Sequence, residues 1–468
     1  MLKINNLTVR YPLSNVPALE NINMQLSRGE IGIVTGGNDS GKSSILNAIS
    51  GIAKSMLNAK TEGTCQVDGT ISTVLQDSDL FLMPTVEEEL EFPLIQYGES
   101  RSIRNIKVNQ INEKLNLSNL SKRLMHTLSG GERQRVALAA SMVTNSDLLL
   151  LDEPLAQLDP RGATLVTDLI RELADHGKTV LIASTSTGPY HQIADRFFWI
   201  DSGKMHWSGS PSSFLKVNEE ARSMGIDVDG YGLFNRHQEE DYIYKNCMPT
   251  GRTVALDMSK VTYCYDKNFS LENIDLQIKK GGITAISGEN GSGKSTLLKL
   301  AAAILKPQSG SISVLGRNIK GLDIAEATKK TGFLFQNPDH QIFQTQVDQE
   351  LAWGLIKRGF SRSKAEEKTR YWLEKLSMKK LSKTHPYSLS KTCRQWIALA
   401  GVLVRTPPLL LLDEPTFGMD TNASRRFADI IMQVAKEGTT VLIITHNHAL
   451  AAHCADRLIA MEKGFISN

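Results

Sequence analysis

The chain has 468 residues, 41% of them hydrophobic and 22% charged, a composition ordinary for a globular protein with room for two or more domains. Its net charge of +3 is too small to argue for a nucleic-acid partner, and no stretch approaches the ~18 to 20 consecutive apolar residues of a membrane span. The five cysteines lack C-x-x-C spacing, which argues against a metal site or disulfide framework and fits a reducing cytosol; the opening MLKINNLTVRYP lacks the apolar core of a signal peptide.

Leu2 to Tyr11 alternates in polarity and reads as an edge strand. EIGIVTGG, from Glu30, is a short apolar strand that runs into GGNDSGKS, Gly36 to Ser43. This fits the phosphate-loop pattern G-x-x-x-x-G-K-[ST], in which backbone N–H groups curl around phosphate oxygens. The candidate phosphate-binding residues are Gly36, Gly37, Asn38, Asp39, Ser40, Gly41, Lys42, Ser43 and Ser44. A helix is expected after Lys42, with its N-terminus at the phosphates. Gln76 follows, then a largely helical stretch from Met83 to Leu120, then LSGGERQ from Leu128. LLLLDEP, from Leu148, is a continuous apolar run of the kind buried in a parallel sheet, and KTVLIAS is the next strand. Residues 1–217 are assigned to a first domain. Residues 218–251 carry charges and glycines without a period and read as a linker, and 252–468 form the second domain.

The second domain repeats the first, and self-similarity of this kind marks a duplicated unit. Thr253 to Tyr265 reads as an edge strand and GITAISGE as the strand before a second phosphate loop. That loop supplies Gly288, Glu289, Asn290, Gly291, Ser292, Gly293, Lys294, Ser295 and Thr296. Gln336, a helical stretch from Gln341 to Leu381, LSKTCRQ from Leu389, LLLLDEP from Leu409 and TTVLIIT follow in the same order. The interval from Ser129 to Asp152 equals that from Ser390 to Asp413.

These motifs resemble the ATP-binding cassette (ABC) family over nearly the whole chain, and LSGGE is the family's signature. The resemblance implies an α/β fold of two tandem P-loop cassettes. Each is expected to have a mostly parallel sheet core, an antiparallel edge sheet and a helical subdomain. It implies ATP and Mg²⁺ as ligands and an intramolecular head-to-tail pseudo-dimer, with each ATP between one phosphate loop and the opposite signature. Asp152 and Asp413 are expected to hold Mg²⁺ with Ser43 and Ser295, and Gln76 and Gln336 to touch Mg²⁺ or water. Glu153 and Glu414 are placed to polarise the attacking water. His446 is expected to contact the γ-phosphate, and alignment puts Thr185 in its place in the first half. Tyr11 and Tyr265 stand at a distance suited to stacking on adenine, with Tyr263 an alternative to Tyr265. Ser129, Gly130, Gly131 and Glu132 form the intact signature.

The differences between the halves converge. Asp39 stands where the second loop has Gly291, Thr185 replaces the switch His, and Lys391 and Thr392 replace signature glycines. Head-to-tail pairing would collect all of these in one degenerate site. Lys294, Glu414 and His446 would then face the intact signature in the consensus site. The segments FQNPDHQIF and QVDQELAWGL resemble ATPases of energy-coupling-factor importers of vitamins or transition-metal ions. Such ATPases sit at the cytoplasmic membrane face, grip a transmembrane coupling subunit and serve a membrane substrate-binding subunit. Asp339, expected to be exposed, and Leu351 and Trp353 are candidate groove residues, with a core role as the alternative for Leu351 and Trp353. A tandem sugar-importer ATPase and a soluble ribosome-associated ABC protein are the other readings.

Overall fold

The computed structural model describes residues 1–468 except 13–15, 76–80, 157, 159, 230–252, 267–268, 289–290, 323, 328 and 468. The chain folds as two compact units, one carried by each half of the sequence. Among the described residues, no helix is long and apolar enough to cross a membrane.

The first unit's strands are β1 (Leu2–Arg10), β2 (Leu19–Leu26), β3 (Ile31–Thr35), β4 (Lys60–Val67), β5 (Ile71–Val74), β6 (Leu148–Asp152), β7 (Thr179–Ser184), β8 (Arg196–Asp201) and β9 (Lys204–Gly209). The core sheet runs β5-β6-β7-β3-β8-β9. Its strands are parallel except for the final antiparallel β8–β9 pair. The apolar run of β6 is explained by burial on both faces. Leu148 and Leu150 join one hydrophobic cluster, and Leu149 and Leu151 join another.

The second unit repeats this plan with β10 (Val254–Asp266), β11 (Phe269–Lys279), β12 (Ile283–Ser287), β13 (Ser309–Val314), β14 (Arg317–Asn318), β15 (Thr331–Leu334), β16 (Leu409–Asp413), β17 (Thr440–Ile444), β18 (Arg457–Glu462) and β19 (Phe465–Ser467). Its core order is β15-β16-β17-β12-β18-β19. Each unit also has an antiparallel sheet, β2-β1-β4 or β11-β10-β13-β14. The strands read as edges are therefore central: β1 pairs with β2 and β4, and β10 with β11 and β13. Alternating polarity reports which face is buried, and is silent about how many sides are hydrogen-bonded.

The helical stretches resolve into Val86–Gln96 and Arg101–Lys114 in the first unit, and Val347–Ile356 and Arg362–Lys375 in the second. Thr85 and Glu88 form a capping box that starts the first of these. The segment read as the start of a linker is packed instead. Asn218–Ser223 is helical, and Ala221, Ile226 and Val228 are buried in the first unit's core. Packing thus carries that unit to Val228, past the expected boundary at residue 217.

Candidate active site

In each unit the phosphate loop, the acidic pair and the switch position meet at the carboxyl ends of adjacent parallel strands, where open α/β sheets place ligands. Register makes the match explicit. Thr35 lies beside Ser184 and Asp152 beside Ala183. In the second unit Ile286 and Asp413 both lie beside Ile444.

The loops fit a phosphate. A Cβ at Gly36 would meet the Ile200 carbonyl oxygen at 2.2 Å, and one at Gly288 would meet that of Met461 at 2.0 Å. Only glycine allows these tight turns. Lys294 begins the helix Lys294–Ala301, and its Nζ donates to the Gly288 carbonyl at 2.8 Å and to Ser292 Oγ at 3.3 Å. Lys42 begins Lys42–Ile49 and donates to the carbonyls of Gly36 and Gly37 at 2.9 and 2.8 Å. Burial lowers the pKa of both lysines, opposed by the carboxylates of Asp152 and Glu153 for Lys42 and of Asp413 and Glu414 for Lys294. Both lysines still lie where phosphate charge would be met.

Asp39 has φ of +61°, and Gly291 has +81° at the matching position. Asp is among the non-glycine residues that best tolerate this region, so the turn survives the substitution while gaining a negative charge. Ser40, Gly41, Ser44, Gly293 and Thr296 lie in the described loops and their first helical turns, whereas Glu289 and Asn290 lie outside the described residues.

The donor set also fits a hard divalent cation. Ser295 Oγ donates to Asp413 Oδ1 at 2.9 Å, so the two expected ligands are adjacent. Burial raises the Asp413 carboxyl above its usual range. Asp152 is buried at the end of β6, and Ser43 occupies the position matching Ser295. Gln336 is half-buried two residues past β15, whose Leu334 lies beside Leu412 of β16. Gln76 lies outside the described residues.

Glu414 and Glu153 both have left-handed backbones, with φ of +44° and +48°. Strain of this kind clusters at functional turns. Glu414 Oε2 accepts the His446 N–H at 3.1 Å, and its Oε1 lies 3.4 Å from His446 Nε2 without forming a hydrogen bond. Only 16% of the Glu414 side chain is exposed. Burial pushes its carboxyl up to about 8, opposed by the His446 N–H. Glu153 Oε1 accepts the Thr185 N–H at 2.7 Å. Thr185 and His446 therefore hold the same backbone station, as the alignment expects.

The signatures differ at their helix starts. Ser129 caps Gly130–Met142, and Glu132 Oε2 accepts the Ser129 N–H at 2.7 Å, completing a capping box that includes Gly131 in its first turn. Ser390 caps Lys391–Leu403 by accepting from the Cys393 N–H at 3.2 Å, and Cys393 has no carboxylate to reciprocate. Lys391 Nζ lies 5.4 Å from the centre of the Phe417 ring, a cation–π contact. Both helices are tied to the loop after the acidic pair. Gln134 Nε2 donates to the Pro154 carbonyl at 3.3 Å, and Gln395 Nε2 donates to that of Pro415 at 3.1 Å.

Tyr11 is half-buried against the core beneath the antiparallel sheet, and Tyr263 packs likewise in the second unit. The Tyr265 side chain lies outside what is described. Two groove candidates change character. Leu351 is fully buried core. Asp339 is not a free surface charge: its carboxylate is held bidentately by Arg394 of the signature helix, at 2.6 Å to Nε and 3.1 Å to Nη2. Charge type predicts exposure only for an unpaired residue, and Arg394 is remote in sequence. Trp353 is 41% exposed and packs edge-on to Phe343, itself 56% exposed, with ring centres 4.7 Å apart.

Asp339→Ala is accordingly expected to lower the stability of the second cassette by about 1–3 kcal/mol, the range for a charged hydrogen-bonded pair with limited exposure. Thermal unfolding of the full chain checks this.

Sequence reading missed one further carboxylate in each half. Glu350 Oε2 accepts the N–H groups of Phe343 and Gln344 at 3.0 and 2.7 Å. Glu89 Oε2 does the same for Leu82 and Met83 at 3.0 and 2.8 Å. Both carboxylates tether the loop leading into the helical subdomain. The repeated pairs Glu89-Leu90 and Glu350-Leu351 were a signal that could have found them.

Comparison with known proteins agrees with this geometry. The family model described as ABC transporter matches residues 19–156 and 271–417. A "Putative ABC transporter ATP-binding protein" of Methanosarcina mazei is 33% identical over 100% of this chain and 94% of its own length. The "Putative HMP/thiamine import ATP-binding protein YkoD" of Bacillus subtilis is 28% identical over 98% of this chain and 90% of its own. Among solved structures, an archaeal ribosome recycling factor aABCE1, in complex with ribosomal stalk protein aP1, superposes with a TM-score of 0.62 over 98% of this chain and 89% of that one. At 20% identity that likeness concerns the fold alone. Cassettes of this kind bind ATP with Mg²⁺. The chain belongs to the ABC transporter family and is an ATPase built from two tandem cassettes.

Proposed function

We propose that this chain energises a membrane importer of the energy-coupling-factor type, with a vitamin or metal ion as cargo, from the cytoplasmic membrane face. The cassettes pair head to tail, one ATP site turns over, and the other binds ATP while hydrolysing it poorly. The observation that carries the unequal sites is the carboxylate–switch pair of Glu414 and His446, matched in the first cassette by Glu153 and Thr185. The importer type is supported by the Q-N-P-D segment and by similarity to a relative named for HMP/thiamine import.

In the working site Lys294 and the loop N–H groups bind the phosphates, while Ser295 and Asp413 would hold Mg²⁺. Bound Mg²⁺ would neutralise phosphate charge. Glu414 takes a proton from the attacking water as its oxygen bonds to the γ-phosphorus. The bond from that phosphorus to the bridging oxygen breaks, and ADP leaves. The His446 N–H fixes the Glu414 carboxylate, and its imidazole can reach the γ-phosphate. Ser129 and Gly130 of the first cassette stabilise charge on the transferring group.

A transmembrane coupling subunit docks near Gln336 of the second cassette, where Phe343 and Trp353 present an exposed apolar pair. Trp353→Ala is expected to reduce recovery of membrane subunits severalfold in pull-downs while leaving ATP binding by the isolated chain intact. Recovery of ribosomes instead of membrane proteins by the unaltered chain would overturn the importer reading.

A further inference from the structure

We propose that Ser184 is a positioning residue that withholds Glu153 from catalysis, silencing the first cassette from within. This rests on the reading of Glu414 as the working carboxylate, and it adds a lesion that no motif reveals. The first cassette keeps its acidic pair, so sequence alone credits it with an intact base.

Both oxygens of Glu153 are occupied by its own cassette. Oε1 accepts the Thr185 N–H at 2.7 Å, and Oε2 accepts the Ser184 hydroxyl at 3.1 Å. Ser184 is 3% exposed and ends β7. Its Oγ also accepts the Ser186 N–H at 3.2 Å. In the second cassette the matching hydroxyl, Thr445 Oγ1, accepts the Asn447 N–H at 2.9 Å. There Glu414 Oε1 is buried without a hydrogen bond. Each Glu153 oxygen accepts a hydrogen bond from its own cassette, whereas Glu414 Oε1 accepts none and lies 3.4 Å from His446 Nε2.

The cage is reinforced from the far side. The Thr185 carbonyl accepts the Asp227 N–H at 3.0 Å, and the Thr187 N–H donates to the Asp227 carbonyl at 2.8 Å. Ser186 and Asp227 thereby form an isolated parallel bridge. Ile226 and Val228, buried on either side of Asp227, anchor the strap. The Thr185 peptide is thus held by Glu153 at its N–H and by Asp227 at its carbonyl.

A carboxylate activates water by offering a lone pair to its proton. An oxygen already accepting a charge-assisted hydrogen bond is a weaker acceptor and is fixed in direction. Removing the Ser184 hydroxyl frees Oε2 while leaving the Thr185 peptide in place.

The test uses the full chain carrying Glu414→Gln, so that residual phosphate release reports the first site. Adding Ser184→Ala is expected to raise that residual rate on the order of tenfold, part of what a positioned base supplies. Ser184→Cys, a weaker donor, is expected to give a smaller gain and serves if the alanine variant does not fold. The gain must vanish when Glu153→Gln is also present, because a packing change would act without that carboxylate. No gain in folded, ATP-binding Ser184→Ala or Ser184→Cys chains overturns the proposal, as does a gain that survives Glu153→Gln. If Glu414→Gln itself leaves turnover near the unaltered rate, the unequal-site reading falls and this proposal with it. The two failures are therefore separable.

Discussion

Glu414→Gln is expected to lower steady-state phosphate release by about 10²- to 10⁴-fold, the usual contribution of a positioned base, while Glu153→Gln has a much smaller effect. The glutamine keeps a carbonyl oxygen to accept the His446 N–H, which now meets Glu414 Oε2 at 3.1 Å. The turn should therefore hold its shape, and the loss should report proton acceptance. Nucleotide should consequently remain bound and unhydrolysed in the Glu414→Gln chain. In Glu153→Gln the altered group is one already occupied by Ser184 and Thr185. Phosphate release with retained-nucleotide measurements on both variants decides the matter. Equal losses would rule out unequal sites.

The parts of this site that were legible in the sequence are those written contiguously. A phosphate loop, LSGGE and LLLLDEP each place several chemical groups on one short segment. The duplicated spacing then aligns Thr185 with His446 before any coordinate is known. The shared backbone station opposite Glu153 and Glu414 arises from that same spacing. The parallel core was legible for a related reason. Leu148 to Leu151 can all be buried only if both faces of the strand are covered, which the two clusters confirm.

Groups whose role depends on partners remote in sequence were not legible. Asp339 reads as a surface charge until Arg394 is placed across from it. Leu351 and Trp353 lie two residues apart on one helix, yet one is fully buried and the other 41% exposed. Helical periodicity could rank them only if the direction of the core were known. The segment around Ala221, Ile226 and Val228 is too short and too charged to announce itself, but its three apolar residues meet the first unit's core. Ser184 is the sharpest case. Its hydroxyl has the same chemistry as that of Thr445 and likewise accepts the N–H two residues on, and only the further bond it donates to Glu153 distinguishes them.

Gly130→Asp is expected to reduce turnover on the order of 10²-fold, comparable to losing one donor that stabilises transition-state charge, whereas Lys391→Gly should be mild or slightly activating. The local structure makes this comparison informative. Gly130 opens a helix whose capping box, Ser129 with Glu132, does not involve its side-chain position. An acidic residue in a first helical turn is favourable to the helix dipole, so the substitution should leave the isolated cassette folded. The added charge would instead oppose the phosphates that the proposed pairing brings to this helix N-terminus. Lys391 occupies the matching first position, where a cation is unfavourable to the dipole, and it rests on the Phe417 ring. Glycine there removes a cation–π contact and relieves an unfavourable charge, two small effects of opposite sign. Steady-state hydrolysis, with circular dichroism to confirm folding, separates the outcomes. A folded but inactive Lys391→Gly chain would show that the degenerate signature is essential, and an active Gly130→Asp chain would remove the intact signature from the working site.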